Sequence, residues 1–304
     1  MAYVLVTGAG GFVGRAVVRH LRASGTDVRA GTRGGADVGD VPGIALDVTD
    51  RASCDRAMDG ADAVVHCAVG AAGVTVDGTR TLLAAARSRR VVHFSSIAVY
   101  GATAGTVTED AVLPQGLRGY GAWKQAAEAM CGANVVRLRP TIIYGSGATV
   151  FVDQLLARMR AGRWGQFGAD ADGLCNPVHV DDVARAACLA LTADAGGQAL
   201  NIDAGTPLTW NAWFARLAAL DGITLPEYPP GRLRTWSRAA LLAKALARLA
   251  PPLRPALAQA LLAPAASECA LYRLHATYPA TRARSLLGWQ PLIPLEDGIA
   301  GCVT

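Results

Sequence analysis

A short β-branched apolar run, Ala2–Val6, ends in Thr7-Gly8-Ala9-Gly10-Gly11-Phe12-Val13-Gly14. Apolar residues then return at helical spacing, at Phe12, Val13, Ala16, Val17 and Leu21, with Arg15, Arg19 and Arg22 between them. A strand that passes into a helix through glycines spaced three apart admits few folds. Gly8 permits a tight turn, Gly11 lets backbone approach a pyrophosphate, and Gly14 lets helix and strand pack closely. The first helical N–H groups lack intrahelical partners and face an anion. Gly8, Gly10, Gly11, Phe12, Val13 and Gly14 are therefore the expected dinucleotide contacts.

The same rhythm continues. Strands are expected at Asp27–Thr32, Ile44–Leu46, Ala63–His66, Val91–Phe94 and Asn134–Leu138, and helices at Thr75–Arg87 and Tyr120–Cys131. The strands are continuous apolar runs rather than alternating ones, which implies a parallel sheet covered on both faces. The expectation is an α/β fold, a doubly wound parallel, Rossmann-like sheet with a smaller, mostly helical C-terminal substrate lobe. Helices are expected at Val150–Arg160, Asp181–Thr192 and Thr209–Leu220, with breaks at Pro251-Pro252 and Pro255 beyond them. The expected division is 1–168 for the nucleotide-binding part and 169–304 for the substrate lobe, part of 178–204 returning to the core.

Net charge is +5 but uneven: residues 1–229 sum to −1 and residues 230–304 to +6. That is too sparse for a nucleic-acid-binding face. Seven scattered cysteines without a Cys-x-x-Cys pair argue against a disulfide scaffold or zinc ribbon and fit a reducing cytoplasm. The start lacks the basic and cleavable pattern of a signal peptide, and no apolar run is long enough to span a membrane. No metal ligand set is expected: His179 has no second ligand at useful spacing, and Asp181 is the expected N-cap of the helix after it.

With its leading Thr-Gly and Phe12, the glycine turn resembles the extended short-chain dehydrogenase/reductase superfamily of epimerases, dehydratases and reductases. His66-Cys67-Ala68, Asp47-Val48, Val76-Asp77-Gly78-Thr79 and Leu287-Gly288-Trp289-Gln290-Pro291 resemble further segments of that family. The resemblance implies that Asp47 and Val48 contact adenine, that Cys67 and Ala68 lie along the cofactor, and that the Arg139-Pro140-Thr141 segment runs beside the nicotinamide.

At the end of the second strand, where an NAD enzyme commonly places a carboxylate, stand Thr32 and then Arg33. An arginine there suits a 2′-phosphate, so NADP(H) rather than NAD(H) is expected. Tyr120-Gly121-Ala122-Trp123-Lys124 puts a phenol and an ammonium on one helix face. The chain has only two lysines, which makes Lys124 at this spacing more than background. A nearby ammonium favours phenolate and is expected to lower the Tyr120 pKa. The resemblance assigns carbonyl polarisation to Ser96, proton transfer to Tyr120, and a nicotinamide-ribose contact to Lys124. Tyr100 has no lysine four residues on. Glu109 and Asp110 read as a solvated loop.

Cys175 stands where nucleotide-sugar enzymes of the family usually carry a diphosphate-binding Arg, although Arg232, Arg234 and Arg273 could supply phosphate contacts. Three functions stay open: an NADP(H)-dependent carbonyl reductase or alcohol dehydrogenase, which leads; a nucleotide-sugar epimerase or dehydratase; and a non-catalytic NADP-binding protein. The expected partner is a small-molecule substrate, and a homodimer stays open. Residues 236–263 form a basic, Leu-rich amphipathic stretch that reads either as a lid or subunit contact or as a membrane-surface or lipid-gripping element.

Overall fold

The computed structural model describes residues 3–249, 252 and 263–302. The main sheet holds β1 (Tyr3–Thr7), β2 (Val28–Thr32), β3 (Gly43–Ala45), β4 (Ala61–His66), β5 (Arg90–Phe94), β6 (Val135–Pro140) and β7 (Ala199–Ile202). All its pairings are parallel, in the order β7-β6-β5-β4-β1-β2-β3. The order reverses at β1, so a crevice opens above the carboxyl ends of β1 and β4, where such sheets bind ligands.

Helices α1 (Phe12–Ala23) and α6 (Val180–Ala190) cover one face, burying Val17, Val18, Leu21, Val183, Ala186 and Ala187. Helices α2 (Arg51–Met58) and α3 (Gly78–Ala86) bury Cys54, Ala57, Met58, Leu82 and Ala85 on the other face. Helix α4 (Tyr120–Glu128) lies beside them. The expected helix from Thr75 instead opens with a wide turn over Gly73–Asp77 before α3, and a similar turn at Thr149–Asp153 precedes α5 (Gln154–Arg160).

The second core is aromatic. Trp164, Phe167, Trp210, Trp213, Phe214 and Tyr272 pack together mostly edge to face. They tie α5 to α7 (Trp210–Leu220) and support α8 (Arg232–Leu249) and α9 (Ala266–Leu271). Fully burying each such ring is worth roughly 1.5–3 kcal/mol. The Pro251 and Pro255 breaks lie outside the described residues.

The cap of α6 differs from the expectation. His179 is the N-cap and its Nδ1 accepts from the Asp181 N–H at 3.2 Å. Asp181 lies inside the helix and turns to Arg19 and His20 of α1, which competes better for its carboxylate than its own backbone does. Asp182 is buried and accepts from the Leu292 and Ile293 N–H groups. The Trp289 indole donates to the Asp182 carbonyl at 2.9 Å. The Leu287–Pro291 segment is thereby fastened to α6, with α10 (Thr281–Leu287) ending at Gly288 in a left-handed conformation. Helix α11 (Leu295–Ala300) follows.

Candidate active site

Gly8 and Gly14 build the turn. A Cβ on Gly8 would stand 2.8 Å from Ala68 Cα, and one on Gly14 would stand 2.2 Å from the Gly8 carbonyl oxygen. Close approach of the two segments thus explains why the turn and the Cys67-Ala68 segment occur together. Gly10 and Gly11 differ: both are exposed, and a Cβ on Gly10 would meet only Thr32 Cγ2, at 3.9 Å. The N-cap of α1 is Gly11, with no capping side chain and no acidic residue in the first turn. The turn is an open ledge below unpaired N–H groups, and it fits a pyrophosphate.

At the outer end of β2, Arg33 is exposed and half-buried Thr32 gives its hydroxyl to the Ala36 carbonyl. Asp47 is held below the usual carboxylate range, first by the Thr49 hydroxyl and N–H and further by Arg33. A groove of about 610 Å³ runs beside Gly10, Arg15 and Thr32. Val48 is buried and packs on Gly78, where a Cβ would stand 2.7 Å from Val48 Cγ2.

Ser96, Tyr120 and Lys124 come together at the carboxyl edge of β5. Ser96 caps the short helical turn Ile97–Tyr100, accepting from the Ala98 N–H at 3.1 Å. The Tyr120 ring is 43% exposed, yet its hydroxyl is crowded enough for burial to raise its pKa. The Ser96 side chain lies against that hydroxyl and acts the other way, favouring phenolate. Lys124 is 3% exposed, and burial lowers its pKa to about 8. Its Nζ donates to the Phe94 carbonyl at 2.6 Å and stands 5.7 Å from the centre of the Tyr120 ring. The expected lowering of the Tyr120 pKa by Lys124 is therefore not found. Burial prevails, and the ammonium points to backbone rather than to the phenol.

Beneath Lys124 is a polar layer that the sequence reading passed over. His66 and His93 are register partners on β4 and β5, with ring centres 5.3 Å apart. His66 joins Thr7 Oγ1 at 2.7 Å and Thr79 Oγ1 at 3.1 Å. Burial holds it neutral, with a pKa near 3. The available signal was a histidine at or next to the last residue of two expected strands, His66 of Ala63–His66 and His93 of Val91–Phe94.

Tyr100 is buried and structural. It donates to Asn201 Oδ1 at 2.7 Å and accepts from Arg139 Nη1 at 2.9 Å, while Arg139 Nε donates to Glu128 Oε1 at 2.9 Å. This network locks α4 to β6 and β7. The Glu109 carboxylate is likewise buried and accepts from the Asn201 N–H at 2.8 Å, so it is not the solvated loop residue expected. Asp110 does stay exposed, paired with Arg282. Pro140 closes β6 opposite Ile202.

Cys175 is fully buried. Arg273 pairs with Asp170, and Arg232 lies over the Tyr228 and Trp236 rings. By contrast, Val69 and Val112 are exposed on the loops after β4 and β5, and Val150 on the wide turn before α5.

A doubly wound parallel sheet with a glycine ledge at its crossover point defines an α/β enzyme of the dinucleotide-dependent class. Within that class the chain belongs to the NAD dependent epimerase/dehydratase family, whose profile matches residues 4–203. It is 30% identical to a 4-hydroxy-2-methyl-3-oxo-4-farnesyl-3,4-dihydroquinoline-1-oxide ketoreductase of Stigmatella aurantiaca, over 72% of this chain and 73% of that one. It is also 30% identical to a 2-alkyl-3-oxoalkanoate reductase of Stenotrophomonas maltophilia, over 97% of each. The solved structure of MoeE5 in complex with UDP-glucose and NAD superposes with a TM-score of 0.73 at 26% identity, covering 99% of this chain and 97% of that one. The chain is an NAD(P)-dependent enzyme of the short-chain dehydrogenase/reductase type.

Proposed function

We propose that the chain is an NADP(H)-dependent reductase of a small, largely apolar ketone, running in reverse as a secondary-alcohol dehydrogenase. The observation that carries this reading is the Tyr120 phenol lying against Ser96, with the buried Lys124 ammonium behind its ring. Gly8, Gly10, Gly11, Phe12, Val13 and Gly14 would hold the pyrophosphate, Asp47 and Val48 the adenine, and Cys67, Ala68 and Pro140 the nicotinamide side. Lys124 would hold the ribose, and Arg33 a 2′-phosphate. When bound, the cofactor would supply hydride chemistry at the carbonyl carbon. Ser96 donates a hydrogen bond to the carbonyl oxygen, and Tyr120 gives that oxygen its proton. A phenol with a raised pKa stays protonated at neutral pH and suits this role.

Apolar substrate chemistry is supported by the farnesyl and 2-alkyl ketones in the names of the two relatives. Cys175 in place of a diphosphate-binding arginine weakens the nucleotide-sugar reading, which the likeness to MoeE5 keeps as the second one. A panel of 2-alkyl-3-oxo acids with NADPH or NADH tests the proposal. Ketone-dependent NADPH oxidation is expected, and Tyr120→Phe should lower it on the order of 10²- to 10⁴-fold with cofactor binding intact. Arg33→Ala should weaken NADPH by about 10- to 100-fold and spare NADH. Conversion of a nucleotide sugar without net cofactor consumption, and no ketone turnover, would favour the second reading instead.

A further inference from the structure

Helix α8 faces the wrong way for a helix whose outer surface meets only water. Successive residues turn about 100°. On the inner side Leu233, Ser237, Ala240, Ala243 and Ala247 are buried. On the opposite side Leu241, Leu242, Leu246 and Leu249 are 60%, 69%, 48% and 83% exposed. Apart from Leu233, small residues point in, and four leucines point out. Among the described residues, nowhere else do four large apolar side chains stand exposed on one element. Exposed Arg234 and Arg238 fall in the same outer arc, spanning about 140° with the leucines.

The surrounding sequence has one sign of charge. Residues 228–267 contain Arg232, Arg234, Arg238, Lys244, Arg248 and Arg254 and not one Asp or Glu, while the rest of the chain holds all 24 acidic residues. A second copy docking symmetrically, α8 against α8, would bury Arg234 and Arg238 against a segment with no carboxylate to pair with them, which is costly. An anionic lipid surface meets both needs. Acyl chains accept the leucines, and headgroup phosphates accept the guanidinium groups, whose stems lie along apolar surface.

We infer that α8 is an interfacial helix that seats the protein on anionic membrane surfaces through Leu241, Leu242, Leu246 and Leu249, with Arg234 and Arg238 on headgroup phosphates. The inference is independent of the reductase reading, since its test needs neither substrate nor cofactor. The chain is floated with vesicles of phosphatidylcholine, alone or mixed with phosphatidylglycerol. Binding to the mixed vesicles is expected, with little to the neutral ones. Arg234→Gln/Arg238→Gln should lower partition by roughly 10- to 30-fold, at about fivefold per basic residue. The triple variant Leu241→Gln/Leu242→Gln/Leu246→Gln should lower it at least as far. All substituted side chains are exposed, so thermal unfolding of both variants should match the parent. Failure of the parent to bind mixed vesicles overturns the inference, as does equal binding by the leucine variant or by neutral vesicles. A parent dimer that ignores vesicles, and that the leucine variant dissociates, gives the face to a second copy and overturns it too.

Discussion

Burial brings the Lys124 pKa from 10.5 to about 8, so its charged form at pH 7 costs the folded state about 3 kcal/mol relative to the unfolded chain. Lys124→Met should therefore be no less stable than the parent at pH 7, even though the Phe94 carbonyl loses its donor. Between about pH 8 and 10.5 the unfolded parent keeps a proton that the folded parent has released. Parent stability then rises with pH, and the gap to Lys124→Met narrows. Urea titrations at pH 7 and pH 9.5 check the sign, and activity should be lost in the variant at both. The two site tyrosines separate in the opposite sense. Tyr100→Phe leaves Asn201 and Arg139 short of a partner in a buried network and should cost about 1–3 kcal/mol of stability. Its turnover should stay near the parent's, in contrast to Tyr120→Phe. At this scale the sequence showed which side chains share one helix face, because Tyr-x-x-x-Lys places them one turn apart. It did not show their electrostatics, because the sign of the Tyr120 shift depends on burial and on where the Lys124 ammonium points.

The glycine turn divides its labour among positions that look alike in sequence. Gly14→Ala would force a methyl into the Gly8 carbonyl oxygen and should lower the melting temperature sharply, with or without cofactor. Gly11→Val has less to collide with, its Cβ standing 3.2 Å from that oxygen, and it fills the ledge instead. That variant should fold while its dinucleotide affinity falls, which calorimetric titration beside a melting curve resolves. Elements legible in sequence were those with a strong local signature: β1 to β6 as apolar runs between turns, and α1 by its spacing and glycines. Strand β7 was not. It has four residues, Ala199-Leu200-Asn201-Ile202, with a polar side chain that becomes sensible only once Tyr100 and Val107 are beside it. The cap of α6 was misplaced for a related reason, since Asp181 answers to Arg19 from an element 162 residues away.

Across the whole molecule, the sheet and the helical lobe share one chain that passes between them repeatedly. Two short strands, Ile142–Tyr144 and Pro177–His179, pair between the halves, and α6 and β7 then return to the sheet before α7 leaves it. Trp289 and Asp182 close the last return. Trp289→Ala should cost about 3–5 kcal/mol by opening a cavity in that closure, measurable as a shift in the urea midpoint. The same connectivity bears on how the protein is made. β6 gains its outer neighbour only when residues 199–202 have left the ribosome, and the helix that covers α1 is pinned only after Trp289 follows. Until then Val183, Ala186 and Ala187 have an incomplete cover. Five strands pair among residues 3–94 and can settle early, whereas the cover of α1 by α6 closes only when nearly the whole chain has been translated.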